Sequence, residues 1–309
     1  MNFSVENSSQ ILYNNVSKAL ERMNFMWIAY SIGTAVLLAL SALFAKCGVK
    51  RAHPTVVTSL RTLVIAIFAW VVFFTSGSSG FSAISGTSFL YIALTGAAFA
   101  AAMICYHSAL KKGDLVRVSA LEKVASLLMM LMAVVLYNRT SLLYIRIIAM
   151  VLLPVGILLM LTKKSKSGSG TVILYGILYA VAAVAAYVLN GTGINVRSGA
   201  LSLALILTVV LIVSLVSSFV CGLSGGTGRL PMSELMFTLL SGFSAGLAWL
   251  SYRYAMSNGD TSTVTIIVSM SFAASVGLAS LFLKEKVSWK TICGMLLIAV
   301  GVLMYEFMI

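Results

Sequence analysis

Charged side chains inside long apolar segments are the residues of this sequence best placed to do chemistry. Arg61, Glu122 and Lys123 each lie within an apolar run, and His107 and Arg253 lie near the ends of two others. A charge at the centre of a bilayer costs about 2.5–3.5 kcal/mol on insertion scales, so such residues are rare and mark pathways or binding sites. A carboxylate there can exchange protons or orient a cation, whereas a guanidinium or ammonium can hold a substrate carboxylate.

The pairing of these charges has two readings. Glu122 and Lys123 are sequence neighbours, so on a helix they point about 100° apart and each needs another partner. Arg61 is a candidate partner for Glu122, which would leave Lys123 for a ligand. In the structural alternative, Arg61 and Glu122 form a buried ion pair, while Lys123 and Arg253 reach a headgroup layer. The sequence leaves both readings open.

Aromatic side chains accompany these charges. Tyr106, Trp249 and Tyr252 could line a cavity and stack on a substrate, although rings in a helical bundle more often serve packing. Trp249 lies well inside its apolar run, whereas interfacial tryptophans lie near helix ends. Asn190 ends another run, either as a hydrogen-bonding group or as part of an Asn-Gly turn. The predicted substrate-binding residues are Arg61, Tyr106, His107, Glu122, Lys123, Trp249, Tyr252 and Arg253.

The elements that must position these residues are ten apolar runs of about 20 residues, each long enough to cross about 30 Å of hydrocarbon as a helix. The predicted spans are 26–46, 55–75, 88–110, 115–137, 141–162, 171–190, 199–222, 232–254, 261–283 and 288–307. Short connections make neighbouring helices antiparallel, and no run shows the alternation of a transmembrane strand. The fold class predicted is an all-α membrane protein of about ten transmembrane helices.

Composition independently indicates a membrane protein. The 309 residues are 60% hydrophobic and only 9% charged, whereas soluble domains carry about one-quarter charged residues. The net charge is +13, and the basic residues lie in short clusters between apolar runs, as expected for loops facing anionic headgroups. This distribution does not indicate nucleic-acid binding. The four cysteines and two histidines have no metal-ligand spacing, and no phosphate-binding G-x-x-x-x-G-K-[ST] loop occurs. We therefore predict no cofactor, no metal and no enzymatic activity.

Residues 1–24 form a polar N-terminal segment without the basic region or cleavage site of a signal peptide. Leu12, Val16, Leu20 and Met23 recur at helical spacing. This spacing favours an amphipathic helix on the membrane surface, and a frayed tail is the alternative.

The sequence contains an internal repeat. Residues 96–114 align with 242–260, including a Tyr followed at the same distance by Gly-Asp, and residues 149–160 align with 294–305. Each half then has five spans, and an odd number of crossings places the second copy upside down. Inverted repeats generate two near-equivalent packings around a midplane site, so the predicted arrangement suits alternating access.

Several segments resemble a known family. FLKEKVSWKTICGMLLIAVGVLMY (282–305), YRYAMSNGD (252–260) and YHSALKKGD (106–114) resemble EamA-type members of the drug/metabolite transporter superfamily. SLRTLVIAIFAW (59–70) and SALEKVAS (119–126) also look like elements of its five-crossing relatives, with Glu122 where those carry Asp. The resemblance covers about residues 26–307.

The resemblance implies a fold and a function. It implies an N-terminal segment 1–24, a first repeat 25–165 and a second repeat 166–309 in a plasma (bacterial inner) membrane. It also implies a secondary exporter of a small polar metabolite such as an amino acid. Proton coupling and a homodimer stay open. Other expectations are a multidrug, nucleotide-sugar or organic-phosphate carrier of the same superfamily, a membrane enzyme acting on lipid, or a sensor subunit.

The two halves differ in charge, and the orientation of the chain is not decided. Glu285 aligns with Arg139, and Val268-Ser269 aligns with Glu122-Lys123, so a ligand should meet one charged half and one more neutral half. Lys and Arg are more numerous on the side opposite the termini, which by the positive-inside rule places the termini outside. The resemblance implies cytoplasmic termini instead.

Overall fold

The chain is helical throughout the part that its computed structural model describes. The described residues are 3–76, 84–137, 143–162, 169–194, 198–223 and 231–306. The helices are α1 (Phe3–Gly48), α2 (Pro54–Thr75), α3 (Gly86–Lys112), α4 (Leu115–Tyr137), α5 (Leu143–Leu161), α6 (Ser169–Gly193), α7 (Gly199–Leu223), α8 (Met232–Asn258), α9 (Thr261–Ser269), α10 (Ser271–Phe282) and α11 (Trp289–Glu306). Arg139, which aligns with Glu285, lies outside the described residues, as do several basic loop residues.

The described helices correspond to the ten predicted spans, because α9 and α10 are two parts of one span. Within the described residues, seven segments have the length and apolar composition to cross a membrane, and Ile147–Leu161 and Trp289–Tyr305 are shorter apolar helices. The remaining crossing, α4, carries the charged residues Glu122 and Lys123. The predicted fold class is confirmed: an all-α membrane protein with two inverted five-helix repeats.

Two helices differ in detail from the predicted spans. Helix α1 begins at Phe3 and continues to Gly48, so the backbone of the polar N-terminal segment is helical and joins the first span without a break. The ninth span is interrupted at Met270, although neither Gly nor Pro marks the position. The Ser269 hydroxyl donates to the carbonyl of Ile266 at 2.7 Å, and such local bonds compete with the regular helical ladder.

The helices pack in pairs that repeat between the two halves. Helix α1 packs on α8 as α6 packs on α3, and α2 packs on α8 as α7 packs on α3. Helices α2 and α7 contact each other, as do α5 and α11, and these two pairs join equivalent elements of the two repeats. This pattern is what an internal two-fold relation between the repeats produces.

The α5–α11 contact shows the same symmetry at individual residues. A Cβ on Gly156 would lie 2.7 Å from the carbonyl oxygen of Gly294, and a Cβ on Gly301 would lie 3.3 Å from that of Ala149. The repeat alignment pairs Ala149 with Gly294 and Gly156 with Gly301, so the two contacts are equivalent. Small residues at these positions let the two backbones approach closely.

Replacement of Gly294 by Ala should therefore destabilise the protein. The new Cβ would lie 2.6 Å from the carbonyl oxygen of Gly156, and relieving such a backbone clash costs about 1–3 kcal/mol. Thermal unfolding in detergent should show a lower melting temperature for Gly294→Ala. The matched control is Gly277→Ala, since a Cβ on Gly277 meets nothing within 4 Å. Equal melting temperatures for the two variants would contradict the close contact.

The bundle has two unlike ends. We call face A the end that carries the α1–α2, α3–α4 and α10–α11 connections, and face B the opposite end. The largest apolar cluster includes Val49, Val57, Leu110 and Leu115 near face A, all fully buried, and continues along α11 to Tyr305 near face B. Four smaller clusters occupy other parts of the bundle.

Candidate substrate site

A cavity of about 280 Å³ lies in the middle of the bundle. Arg61 and Glu122 are each seven residues from the face A end of their helices, which places both about 10 Å below that face. The residues that line this central cavity are Leu38, Ala42, Arg61, Thr62, Ile65, Phe99, Met103, Tyr106, Glu122, Tyr179, Leu203, Leu207, Trp249, Ser271, Phe272 and Ser275. The cavity thus receives side chains from both halves.

Arg61 and Glu122 bring opposite charges to the cavity wall without pairing. Among the described side chains, no salt bridge joins the two, although both line the same space. The buried Arg61–Glu122 ion pair, which was the structural reading of the sequence, is therefore not formed. Both charged residues come from the first half, while the second half contributes aromatic, hydroxyl and aliphatic side chains. The site can offer a cation and an anion to one ligand.

A hydroxyl bridge between α1 and α8 holds the Arg61 guanidinium. Arg61 Nη2 donates to Ser41 Oγ at 3.1 Å, and Ser41 Oγ donates to the carbonyl oxygen of Ser241 at 2.8 Å. Ser241 Oγ donates in return to the carbonyl oxygen of Ser41 at 2.8 Å. Arg61 Nε is buried and has no hydrogen-bond partner. A guanidinium has five N–H donors, so most of this binding capacity is unused.

Three of the predicted aromatic residues lie on cavity walls. Tyr106 lines the central cavity, and its ring centroid lies 5.6 Å from that of Tyr179. Trp249 also lines it, as its position deep inside the eighth span suggested. Tyr252 instead lines a neighbouring cavity of about 310 Å³ between α1, α8 and α9, which shares Leu38 and Trp249 with the central cavity. The rings supply apolar walls beside the two charges.

The other three predicted residues lie apart from the central cavity. Lys123 is buried with its ammonium 4.9 Å from the ring centroid of Phe272, whose side chain lines the cavity. His107 is fully buried, with Nδ1 2.8 Å from the carbonyl oxygen of Met103. Because a carbonyl only accepts, this nitrogen carries the hydrogen. Arg253 is exposed, 5.4 Å from the Trp249 ring centroid.

The structure also places residues at the site that were not predicted from the sequence. Met103 lies 3.8 Å from Arg61 through its sulfur, and Tyr179 faces Tyr106. Ser271 and Ser275 follow the helix break at Met270, which no sequence signal marked. Serine is common in membrane-spanning helices, so the residue type alone does not indicate a role in binding.

Two carboxylates tie connections together at face A. Glu285, in the α10–α11 connection, accepts hydrogen bonds from the backbone N–H groups of Leu115 and Val116 at 2.8 and 3.0 Å. Glu234, in the first turn of α8, accepts from those of Arg51 and Ala52, the latter at 2.7 Å. Each contact joins a carboxylate of the second half to backbone groups of the first half. We call these two contacts the face A latches.

Lys46 makes a further contact between helices at face A. Its ammonium, at the end of α1, donates to the carbonyl oxygens of Leu110 and Gly113, 2.6 Å from the latter. These carbonyls belong to the last turn of α3 and its cap, where a cation is favoured by the helix dipole. Together with the large apolar cluster, these contacts close the cavity toward face A.

A helical membrane bundle with inverted repeats around a charged central cavity is the architecture of a secondary transporter. The sequence profile of the EamA-like transporter family matches residues 25–162 and 174–307, and the chain belongs to this family. It is an integral, multi-pass membrane protein whose partners are a small-molecule substrate and membrane lipid.

One relative is named as a transporter, and one solved structure shares the fold. An "Uncharacterized transporter in cobO 3'region" from Sinorhizobium sp is 36% identical over 104 residues, which cover 33% of this chain and 74% of that protein. One crystal structure, described without a function, matches with a TM-score of 0.59 at 18% identity, covering 92% of this chain and 96% of the other. At this identity the structural match supports the fold alone.

Proposed function

We propose that this protein is a secondary transporter that exports a small zwitterionic metabolite such as an amino acid. The observation that carries the proposal is that Arg61 and Glu122 line one cavity without forming a salt bridge. A substrate carboxylate would bind the Arg61 guanidinium, and a substrate ammonium would bind the Glu122 carboxylate. Both protein charges would then gain a partner from one small molecule.

The cost of burying charge explains why a zwitterion fits best. An ion inside the bilayer region is stabilised only when an opposite charge and hydrogen bonds replace its water. A neutral solute would leave both Arg61 and Glu122 unpaired, and a singly charged solute would leave one of them unpaired. An organic phosphate would bring excess negative charge next to Glu122. Carriers of phosphates or of cationic drugs are therefore less compatible with this cavity.

Alternating access would follow from the two repeats, 25–165 and 166–309. The central cavity is closed toward face A by the latches and the large apolar cluster, and side cavities lead away from it toward face B. An exchange of packing between the repeats would open face A and close face B. Protonation of Glu122 would remove the charge that holds the ammonium, so the same carboxylate offers a route to proton coupling.

Counterflow in proteoliposomes tests the proposed function. Vesicles with purified protein are loaded with unlabelled amino acids, and uptake of labelled neutral, acidic and basic amino acids is measured against protein-free vesicles. We expect neutral amino acids to exchange well and acidic or basic ones poorly. A pH gradient should drive net accumulation if Glu122 carries a proton. Absence of counterflow for every neutral amino acid would overturn the proposal.

A further inference from the structure

A side cavity of about 490 Å³ continues from the central cavity toward face B between α3, α4, α6 and α7. Phe99, Tyr179 and Leu203 line both cavities, so the two spaces adjoin. On α6 the lining runs from Tyr179 to Asn190 near the end of the helix, a distance of about 16 Å at 1.5 Å per residue. The side cavity thus extends from the membrane centre almost to face B.

Besides the tyrosines, three polar side chains on this wall have no hydrogen-bond partner among the described residues. They are Thr95, Asn190 and Ser202, and none of them bonds to any other group within the described part of the chain. Thr95 is 4% exposed, and its Oγ1 is a buried atom without a partner, whereas Ser202 is 9% exposed and Asn190 is exposed near the face B end of the cavity. Buried polar groups are almost always hydrogen-bonded, so the Thr95 hydroxyl in particular calls for an explanation.

Hydroxyls in the neighbouring side cavity behave differently. That cavity lies between α1, α8 and α9, and its serine and threonine hydroxyls belong to Thr34, Thr265 and Ser269. Each donates to a carbonyl of its own helix, at 2.8, 2.8 and 2.7 Å respectively. This local bond is the usual state of Ser and Thr inside a helix. The two side cavities therefore differ in the hydrogen-bonding capacity that they leave to a ligand.

We propose that the side cavity between α3, α4, α6 and α7 is an outer binding site for the polar substrate on its way between the central cavity and face B. The inference rests on the proposed function and adds the route and a second site. Hydroxyl and amide groups can each donate and accept, so Thr95, Ser202 and Asn190 can bind either the carboxylate or the ammonium of a zwitterion. The outer site carries no charge and binds more weakly than the central one.

A weak outer site has a clear use in transport. Efficient passage requires sites that bind well enough to admit a solute but weakly enough to release it. A zwitterion leaving Arg61 and Glu122 for an apolar passage would lose all its partners at once. Hydrogen bonds to uncharged side chains lower this barrier without trapping the molecule.

Matched triple variants test the outer site. Thr95→Val/Asn190→Leu/Ser202→Ala removes the free groups, and Thr34→Val/Thr265→Val/Ser269→Ala removes the hydroxyls of the other side cavity. Initial rates of counterflow are measured with the panel of labelled neutral amino acids, and equilibrium binding is measured in detergent. We expect the first triple variant to transport about three- to tenfold more slowly with less than twofold change in binding. The second should resemble the unsubstituted protein.

Thiol labelling tests the route without any substrate. Ser202→Cys and Ser269→Cys are placed singly in a variant in which the four native cysteines are replaced by Ser, and a positively charged methanethiosulfonate is added. We expect Ser202→Cys to react at least tenfold faster, and slower reaction when a neutral amino acid is present. Equal labelling rates, or an unchanged rate of the first triple variant, would overturn the outer site. If the unsubstituted protein moves no amino acid, the proposed transport function fails. The labelling rates still show whether the side cavity between α3, α4, α6 and α7 is open to water from face B.

Discussion

Arg61→Gln is expected to abolish transport of neutral amino acids while leaving the folded protein as stable as before, or more stable. Loss of a buried charge that pairs with a substrate carboxylate costs about 2–4 kcal/mol of binding, or roughly 30- to 700-fold in affinity. Stability should not fall, because the guanidinium has no ion pair and a buried Nε without a partner. Removing such a charge relieves a burial cost instead. Counterflow rates and detergent melting temperatures measure the two effects.

Two further variants test whether the effect of Arg61→Gln is specific to the charge in the cavity. Lys290→Gln removes one positive charge from an exposed position and should change neither transport nor melting temperature. Glu122→Gln should weaken binding of zwitterions but improve the relative binding of small carboxylates, because only the cationic partner remains. A clear drop in the melting temperature of Arg61→Gln with transport retained would mean that Arg61 is structural.

The sequence predicted the fold because hydrophobic length alone determines which segments cross a bilayer. Every predicted span has a helix at its place, and Gly156 and Gly301, which the repeat alignment pairs, make equivalent contacts in the structure. The break at Met270 could not be predicted, since neither Gly nor Pro marks the position. A break of this kind depends on the surrounding structure, which composition does not reveal.

The candidate site was only partly predictable for a geometric reason. Arg61 and Glu122 stood out because charges are rare in apolar runs, and both line the cavity. Lys123 stood out equally, but the next position on a helix points about 100° away, and its ammonium lies over Phe272 instead. Whether a residue faces the cavity depends on helix rotation. A single sequence gives no direct information about rotation.

The sequence singles out one of the two latch residues, Glu285, but does not indicate its role. Glu285 breaks the charge symmetry of the repeats, with Arg139 at the aligned position. Its partners are backbone N–H groups of Leu115 and Val116, which any residue type provides, so no sequence pattern indicates them. Arginine has no acceptor atom and cannot make the same contact. The two ends of the bundle are therefore expected to differ in how firmly they close.

Glu285→Ala is expected to shift the protein toward a state that is open at face A. Hydrogen bonds to a charged group contribute about 1.5–3 kcal/mol, so losing this latch should change the ratio of the two states roughly 10- to 150-fold. Ala120 is a suitable reporter, because it is fully buried on α4 between the latch and Glu122. In a background without the four native cysteines, Ala120→Cys should react with a polar thiol reagent much faster when Glu285 is absent.

Asp260→Ala is the matched control for the latch. Asp260 also accepts a backbone hydrogen bond at a helix start, from Thr263 at 2.8 Å, but this contact lies within one helix at face B. Bonds from the Thr263 side chain and backbone lower the pKa of Asp260, so the control variant also removes a carboxylate that is charged at neutral pH. Its loss should lower stability slightly as a lost helix cap, without exposing Ala120→Cys. If both variants increase labelling equally, Glu285 contributes general stability and does not act as a latch between the repeats.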